Sequence, residues 1–466
     1  MEMFKDFIIQ ELSEFLPVDI YILLNSSKMY QTLYKERMLR RYWCFNEKYS
    51  YQYLTDENES KETYKPSWLS YLRFPKKIPV NQTFNEYINS RINTQKQLSI
   101  KFTTKNNIID DTNIKHLAKV HTLSLRSCFK ITDEGFVHLG NVHTLDLYNC
   151  NITDKGVKYL GKVHTLNLCF CRKIIIGCEQ LGNVHTLNLS SCHITDECIK
   201  HLGNVHTLNL SKCNYITDEG IKHLGNVHTL DLTSCRVTDE GVKHLGKVHT
   251  LDLSQCYKVT DEGIKHLGKV HTLSCNNVTN TGINFLSNCH TLILRDSNIK
   301  DISILRNVDT LTLIDLTNVP KGIKKLHNKK LSISVNKKIN LGTVEDLANT
   351  TAGYYKLNLS HSSNLLNSSL KDLGNVHSLD LSFCCKVSDE GLQYLGNCNL
   401  LNLNGCYDIT DNGLKHLRSV SKIFLDISFP KNITNDCLID LGNVYVNQDT
   451  DSFWTPYKKK GGKLSW

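Results

Sequence analysis

The chain has 466 residues, with 55 Lys+Arg against 46 Asp+Glu and a formal net charge of +9. Such a length buries a sizeable core and would by itself suggest about three ordinary domains. The mild basic excess is spread along the chain apart from Lys458, Lys459, Lys460 and Lys463, which is not the concentrated face of a nucleic-acid binder. Glu2 and Asp6 stand where a signal peptide carries Lys or Arg, and no apolar run reaches the length of a membrane span. These features are those of a soluble intracellular protein, cytoplasmic or nuclear.

In chain order, residues 1–45 read as two short helices. Ile8, Leu12, Phe15 and Leu16 follow the helical period, Pro17 ends that stretch, and Asp19 is placed to start the next, which carries Ile20 and Leu24. A connecting helical region, 46–97, holds Tyr49, Tyr51, Tyr53, Trp68 and Phe74. Asp56, Glu57, Glu59 and Glu62 interrupt any positive field there, so packing between its flanks is the expected role. From 98 to 445 one phrase returns at a period near 21 residues, the signature of a solenoid, and 446–466 reads as a C-terminal cap with a basic tail.

One unit, Val205 to Gly225, shows how the phrase folds. Leu208 and Leu210 alternate with Thr207, Asn209 and Ser211, so the leucines face one side and the polar residues the other. Stacked in parallel at roughly 4.8 Å, such strands make a sheet with a leucine core side and an open polar side. Thr217-Asp218-Glu219 opens a helix of about two turns, with Thr or Asp as cap and the acids complementing the helix dipole. Ile221 and Leu224 turn inward, Ile216 packs at the entrance, and Gly225 suits a left-handed cap. Leu-x-Leu pairs or close variants supply sixteen strand positions, the first opening at residue 98 and the last at 423.

Two columns of chemically active residues share this period. Cys128, Cys150, Cys171, Cys192, Cys213, Cys235 and Cys256 recur 21 or 22 residues apart, as a ladder of small buried hydrophobes. Zinc needs paired ligands at short spacing, and no such pair recurs, so neither metal nor disulfides are expected. His121, His143, His164, His185, His206, His228, His249 and His271 stand at each strand entrance and read as scaffold rather than as a metal or pH site. No phosphate loop, metalloprotease helix or nucleophile elbow is present, and Cys44 has no evident base, so no catalytic residue and no cofactor are expected.

Leu-x-Leu-x-x-Cys followed by Ile-Thr-Asp-x-Gly, as from Leu123 to Gly135 and from Leu251 to Gly263, resembles the cysteine-containing class of leucine-rich repeat. The resemblance implies an α/β fold: a curved solenoid with a parallel concave sheet and short convex helices. The best-known members recognise substrates for cullin-based ubiquitin ligases and carry an F-box ahead of the repeats. The N-terminal run ending in Leu16-Pro17, followed by Asp19 and by Ser27-Lys28 before Tyr30, is similar to an F-box. Met3-Phe4-Lys5-Asp6 lacks the usual opening proline. The uniform repeats, rich in Asn, Lys and Ile, also resemble F-box and repeat proteins of large DNA viruses, which would place the chain in a host cell.

The resemblance implies that Leu12, Phe15, Leu16, Pro17, Asp19, Ile20 and Leu24 bind a Skp-family adaptor, linked to a cullin ligase core. A monomer outside that complex is expected, with no nucleic acid and no membrane as partner. The alternative is a repeat scaffold or sequestering protein with no ubiquitin link, whose residues 1–45 cap the array. Target binding is expected where the repeats depart from uniformity, between 273 and 372, at Arg295, Asp296, Asp315, Tyr354 and Tyr355.

Overall fold

The computed structural model describes residues 43–44, 99–102, 109–316, 320–326, 330–335, 354–363, 365–425, 433–441, 444–447 and 454–456. Leu12, Phe15, Leu16, Pro17, Asp19, Ile20 and Leu24 lie outside the described residues. The chain divides into two compact units, residues 1–235 and 236–466.

In the first unit, parallel strands follow one another in chain order. They are Trp43–Cys44, Ser99–Phe102, Thr122–Leu125, Thr144–Asp146, Thr165–Asn167, Thr186–Asn188, Thr207–Asn209 and Thr229–Asp231. Register pairs Leu145 with Leu166, Leu166 with Leu187, and Leu187 with Leu208, so equivalent leucines form continuous columns. Both leucines of each pair are essentially inaccessible, and each such burial contributes roughly 1.5–3 kcal/mol. Ile216, Ile221 and Leu224 are buried with them, as the periodicity requires. The first strand of the array is set by Ile100, which pairs with Leu123, two residues beyond the expected opening at 98.

The convex half is tighter than the two helical turns expected. Asp218–Ile221 is one α-helical turn, after which His223 N–H donates to Gly220 and Leu224 N–H to Ile221, three residues back. Thr217 caps this turn through its hydroxyl, which accepts from Glu219 N–H at 3.2 Å. The aspartate of the turn ties neighbouring repeats together. Asp196 of one repeat accepts the backbone N–H (2.8 Å) and hydroxyl (2.6 Å) of Thr217 in the next. Asp111 with Thr132 and Asp133 with Thr153 repeat the arrangement.

The expected left-handed glycine caps are absent from the described repeats. Gly140 has φ −60°, an ordinary right-handed value. Its reason is close approach: a Cβ on Gly140 would stand 2.4 Å from the backbone oxygen of Tyr159, and one on Gly182 2.3 Å from that of His201. The left-handed positions belong instead to the bend after each strand, at Ser127, Asn149, Phe170, Ser191, Lys212 and Ser234. Each of the first five donates its N–H to the next repeat, as Ser191 does to Ser211 O at 2.8 Å, and this bond offsets the cost of the conformation.

One disulfide corrects the expectation of none: Cys178 and Cys198 are paired, with Cα atoms 4.9 Å apart and both side chains buried. Cys198 stands where Gly220 stands in the next repeat. The preceding convex segment has no clamp aspartate, and Thr195 N–H bonds Ile175 O instead, at 3.1 Å. That leaves room for a side chain at 198.

In the second unit Thr250–Asp252, Thr272–Asn276, Thr291–Arg295, Thr310–Leu316, Lys330–Val335 and Tyr354–Asn358 run parallel in chain order. Ser378–Asp380, Leu400–Asn402, Lys422–Leu425 and Val444–Asn447 continue the ladder, and Trp454–Pro456 adds an antiparallel edge. Cys275 pairs with Leu294 and so takes the second leucine place in its strand.

Candidate interaction surface

The polar residue between the two leucines looks like a ligand-facing position, but it is engaged locally. Asn188 Oδ1 accepts from Ser190 N–H at 2.9 Å, Asn209 Oδ1 from Ser211 at 2.9 Å, and Asp231 Oδ1 from Thr233 at 2.9 Å. The same contact recurs at Asp252, Asp380 and Asn402 in the second unit. An Asx side chain bonding two residues ahead bends the chain out of the strand. The column therefore makes the fold's bend and leaves few distinctive anchors on the sheet face.

Anchors stand in the bend loops that follow the strands. In the first unit Asp146 holds Arg126 at 2.6 Å through Nε, and the Arg126 guanidinium lies 5.1 Å from the Tyr148 ring centre. Tyr148 meets Phe170 with ring centres 5.5 Å apart at 60°, and Arg172 lies 5.4 Å from the Phe170 ring centre. Phe129 and Tyr215 extend the patch at 55% and 58% exposure, and His193 packs edge-on against Tyr215. Sequence reasoning missed this group because its members occupy different places around the Leu-x-Leu-x-x-Cys phrase. Only stacking the repeats brings them together.

The five residues expected to bind a target lie in the second unit and have mixed fates. Arg295 ends its strand half-buried, and its Nε has no partner among the described residues. Asp296 and Asp315 occupy the left-handed bend position, at φ 47° and 56°, and Asp296 also accepts from Asn276 Nδ2 at 3.0 Å. Aspartate tolerates that conformation better than most residues, so the bend itself favours it there. Tyr355 pairs in register with Leu331, is 5% exposed, and its hydroxyl finds no partner among the described residues. Its ring takes a leucine place in the core, which corrects its expected surface role. Tyr354 opens the same strand.

The second unit has aromatic contacts of its own. His361 stacks on Phe383 at 4.7 Å, and Gly405, at φ +69°, lies so close beneath that a Cβ would meet Phe383 Cδ1 at 2.6 Å. Phe424 and Tyr445 neighbour each other on adjacent strands, with Lys422 5.4 Å from the Tyr445 ring centre. A shallow cavity of about 210 Å³ is lined by Asp411, Lys415, Arg418, Thr434, Cys437 and Asp440. That is below the few hundred Å³ of a usual ligand pocket, and Asp411 is already engaged with Thr434.

The Leucine Rich repeat family model matches residues 138–161, 183–200, 201–225, 226–246 and 375–396. The matched repeats are leucine-rich repeats. No curated protein matches the chain. Among solved structures it is similar to an internalin, inlF, from Listeria monocytogenes, at 21% identity over 67% of this chain and 88% of that one, with a TM-score of 0.41. It is also similar to the TLR13–ssRNA13 complex (17% identity, 78% and 59% of the two chains, TM-score 0.46) and to the mouse RP105/MD-1 complex (16%, 79% and 80%, 0.44).

The two periodic columns are part of the leucine-rich-repeat scaffold. Cysteines within the ladder are more than small hydrophobes: Cys171 Sγ donates to Leu147 O, Cys192 to Leu168 O, and both lie at 3.1 Å. Burial pushes the Cys171 and Cys213 thiols up to about 12, so at neutral pH they are protonated donors. The histidines stack face to face, His164 on His185 at 4.6 Å and 11°, each with Nδ1 3.2 Å from the next threonine's hydroxyl. Desolvation first, and neighbouring imidazoles second, hold His143, His164 and His206 below the ordinary histidine range. Among the described residues no group of three or more His, Cys, Asp or Glu could hold a metal, and no helix is long and apolar enough to cross a membrane.

Proposed function

We propose that this leucine-rich-repeat protein is a non-enzymatic interaction protein that holds a partner protein against its bend loops. One observation carries the reading. The strand-face Asn/Asp column and the convex aspartates are engaged within the stack, while arginine and aromatic side chains stand exposed on the loops of a rigid scaffold. Such side chains supply most of the energy in protein interfaces. Crosslinking the full chain in its native cell, followed by mass spectrometry, tests this. Crosslinks from the bend loops to a second protein are expected, and none at all would overturn it.

The finer reading is a substrate adaptor of a cullin-based ubiquitin ligase. It is supported by the apolar run of helical period ending in Leu16-Pro17 ahead of the repeats. The N-terminal helices would bind a Skp-family adaptor and the repeats the target, so catalysis would be proximity supplied by partner subunits. Arg295, Asp296, Asp315 and Tyr354 remain proposed target contacts within it. Leu16→Ala with Pro17→Ala should abolish capture of a Skp-family adaptor and leave the melting of the repeats unchanged. Failure of the folded wild-type chain to capture any such adaptor would leave an interaction scaffold with no ubiquitin link.

A further inference from the structure

The first unit's bend loops separate charge in a way that the whole chain's composition conceals. Loops 126–130, 148–151, 169–173, 190–193 and 211–215 contain Arg126, Lys130, Arg172, Lys173 and Lys212 and no Asp or Glu. Parallel, in-register stacking places these loops side by side on one edge of the unit. The nearby acids lie off these loops: Asp146 on a strand holds Arg126, Asp110 on a preceding loop feels the charge of Lys130, and Asp231 on the next strand reaches Cys213 beside Lys212. Arg172, Lys173 and Lys212 are exposed.

We infer that this basic edge docks an acidic, extended segment of a partner protein, an inference that rests on the protein-binding function proposed above. The cations fall in alternate repeats, and at roughly 4.8 Å per strand that spacing is about 10 Å. A polyproline-type segment rises about 3.1 Å per residue with three residues per turn, so acids at every third position face the edge together. Arg126 already holds Asp146, but the exposed Arg172 guanidinium beside Phe170 can take a carboxylate in two-pronged fashion. Phe129 and Tyr215 add apolar contact between the charges.

A single-stranded nucleic acid fits the edge less well. Base stacking needs open ring faces in series. Here two faces carry guanidinium groups, and the rings meet at 60° and 76° rather than in parallel.

The test uses the full chain and two labelled probes, a peptide of four Glu-Ser-Pro repeats and a twelve-residue oligouridylate, read by fluorescence anisotropy at low and moderate salt. The peptide should bind, weaken with salt, and lose about tenfold or more in Arg172→Glu/Lys173→Glu/Lys212→Glu. It should lose little in Lys155→Glu/Lys158→Glu/Lys162→Glu, which makes the same charge change on the convex turns. Equal loss in both variants, no peptide binding, or tighter binding of the oligouridylate would overturn the inference. Crosslinking of the triple bend-loop variant separates this result from the broader reading: a partner protein still held elsewhere on the repeats leaves that function standing and removes only this surface.

Discussion

Two sets of repeats differ by one residue type and fold differently because of it. Where Asn or Asp stands between the leucines, as in Thr186–Asn188, Thr207–Asn209 and Leu400–Asn402, the strand stops there after three residues. Where Ser274, Ile293, Thr312 or Ser332 stands instead, the strands run on to Asn276, Arg295, Leu316 and Val335. The Asx acceptor draws the amide two residues ahead and ends the strand. Without it, extended pairing continues, in Thr310–Leu316 across a register shift between Leu313 and Leu316. A sequence position that looks like an exposed recognition column is therefore a strand terminator.

The comparison can be broken most forcefully at the glycine after each convex turn. Gly182→Ala sets a Cβ against the His201 backbone oxygen and should cost about 3 kcal/mol. Ser287→Ala, at the equivalent place in the longer-stranded set, should change thermal stability by less than about 0.5 kcal/mol, because a side chain is already accommodated there. Equal losses on melting would mean that the two sets stack alike.

A smaller effect is expected at the convex clamp. Asp196→Ala removes a carboxylate that accepts two bonds from Thr217 and should cost about 2 kcal/mol in denaturant unfolding. The corresponding Asn280 accepts from Lys300 N–H at 2.8 Å through a neutral oxygen, so Asn280→Ala should cost about 1 kcal/mol. A larger loss at Asn280 would reverse the ranking.

The solenoid was legible because Leu208, Leu210, Ile216, Ile221 and Leu224 follow two simple periods and all are buried. The repeat cysteines were placed in the core correctly, but their bonds to the preceding repeat's carbonyl were not, since a thiol's partner depends on stacking. Tyr355 misled because an aromatic among irregular repeats reads as surface, whereas register with Leu331 puts it inside. The basic edge escaped notice because Arg126, Arg172 and Lys212 are separated by convex segments rich in Asp and Glu. Averaged along the sequence, the two charges cancel.

The smallest effect concerns pH and sets the stacked histidines apart from the carboxylate clamps. His143, His164 and His206 have folded-state pKa values below the ordinary 6.5, so the fold favours their neutral form. Their contribution is present above pH 6.5 and is lost as pH falls through the lowered folded values. Melting temperature should begin to fall just below that pH, well before carboxylates protonate. His143→Gln/His164→Gln/His206→Gln should flatten that portion of the profile, and an unchanged profile would show that the stack is indifferent to charge.

The central claim, that the strand-face Asn/Asp column ends the strands and is not a ligand-facing column, is tested most directly by amide hydrogen exchange in Asn188→Ala. The Ser190 amide, held by Asn188 Oδ1 at 2.9 Å, should lose most of its protection while the Leu187 and Leu208 amides keep theirs. Full protection of Ser190 in the variant would contradict the claim.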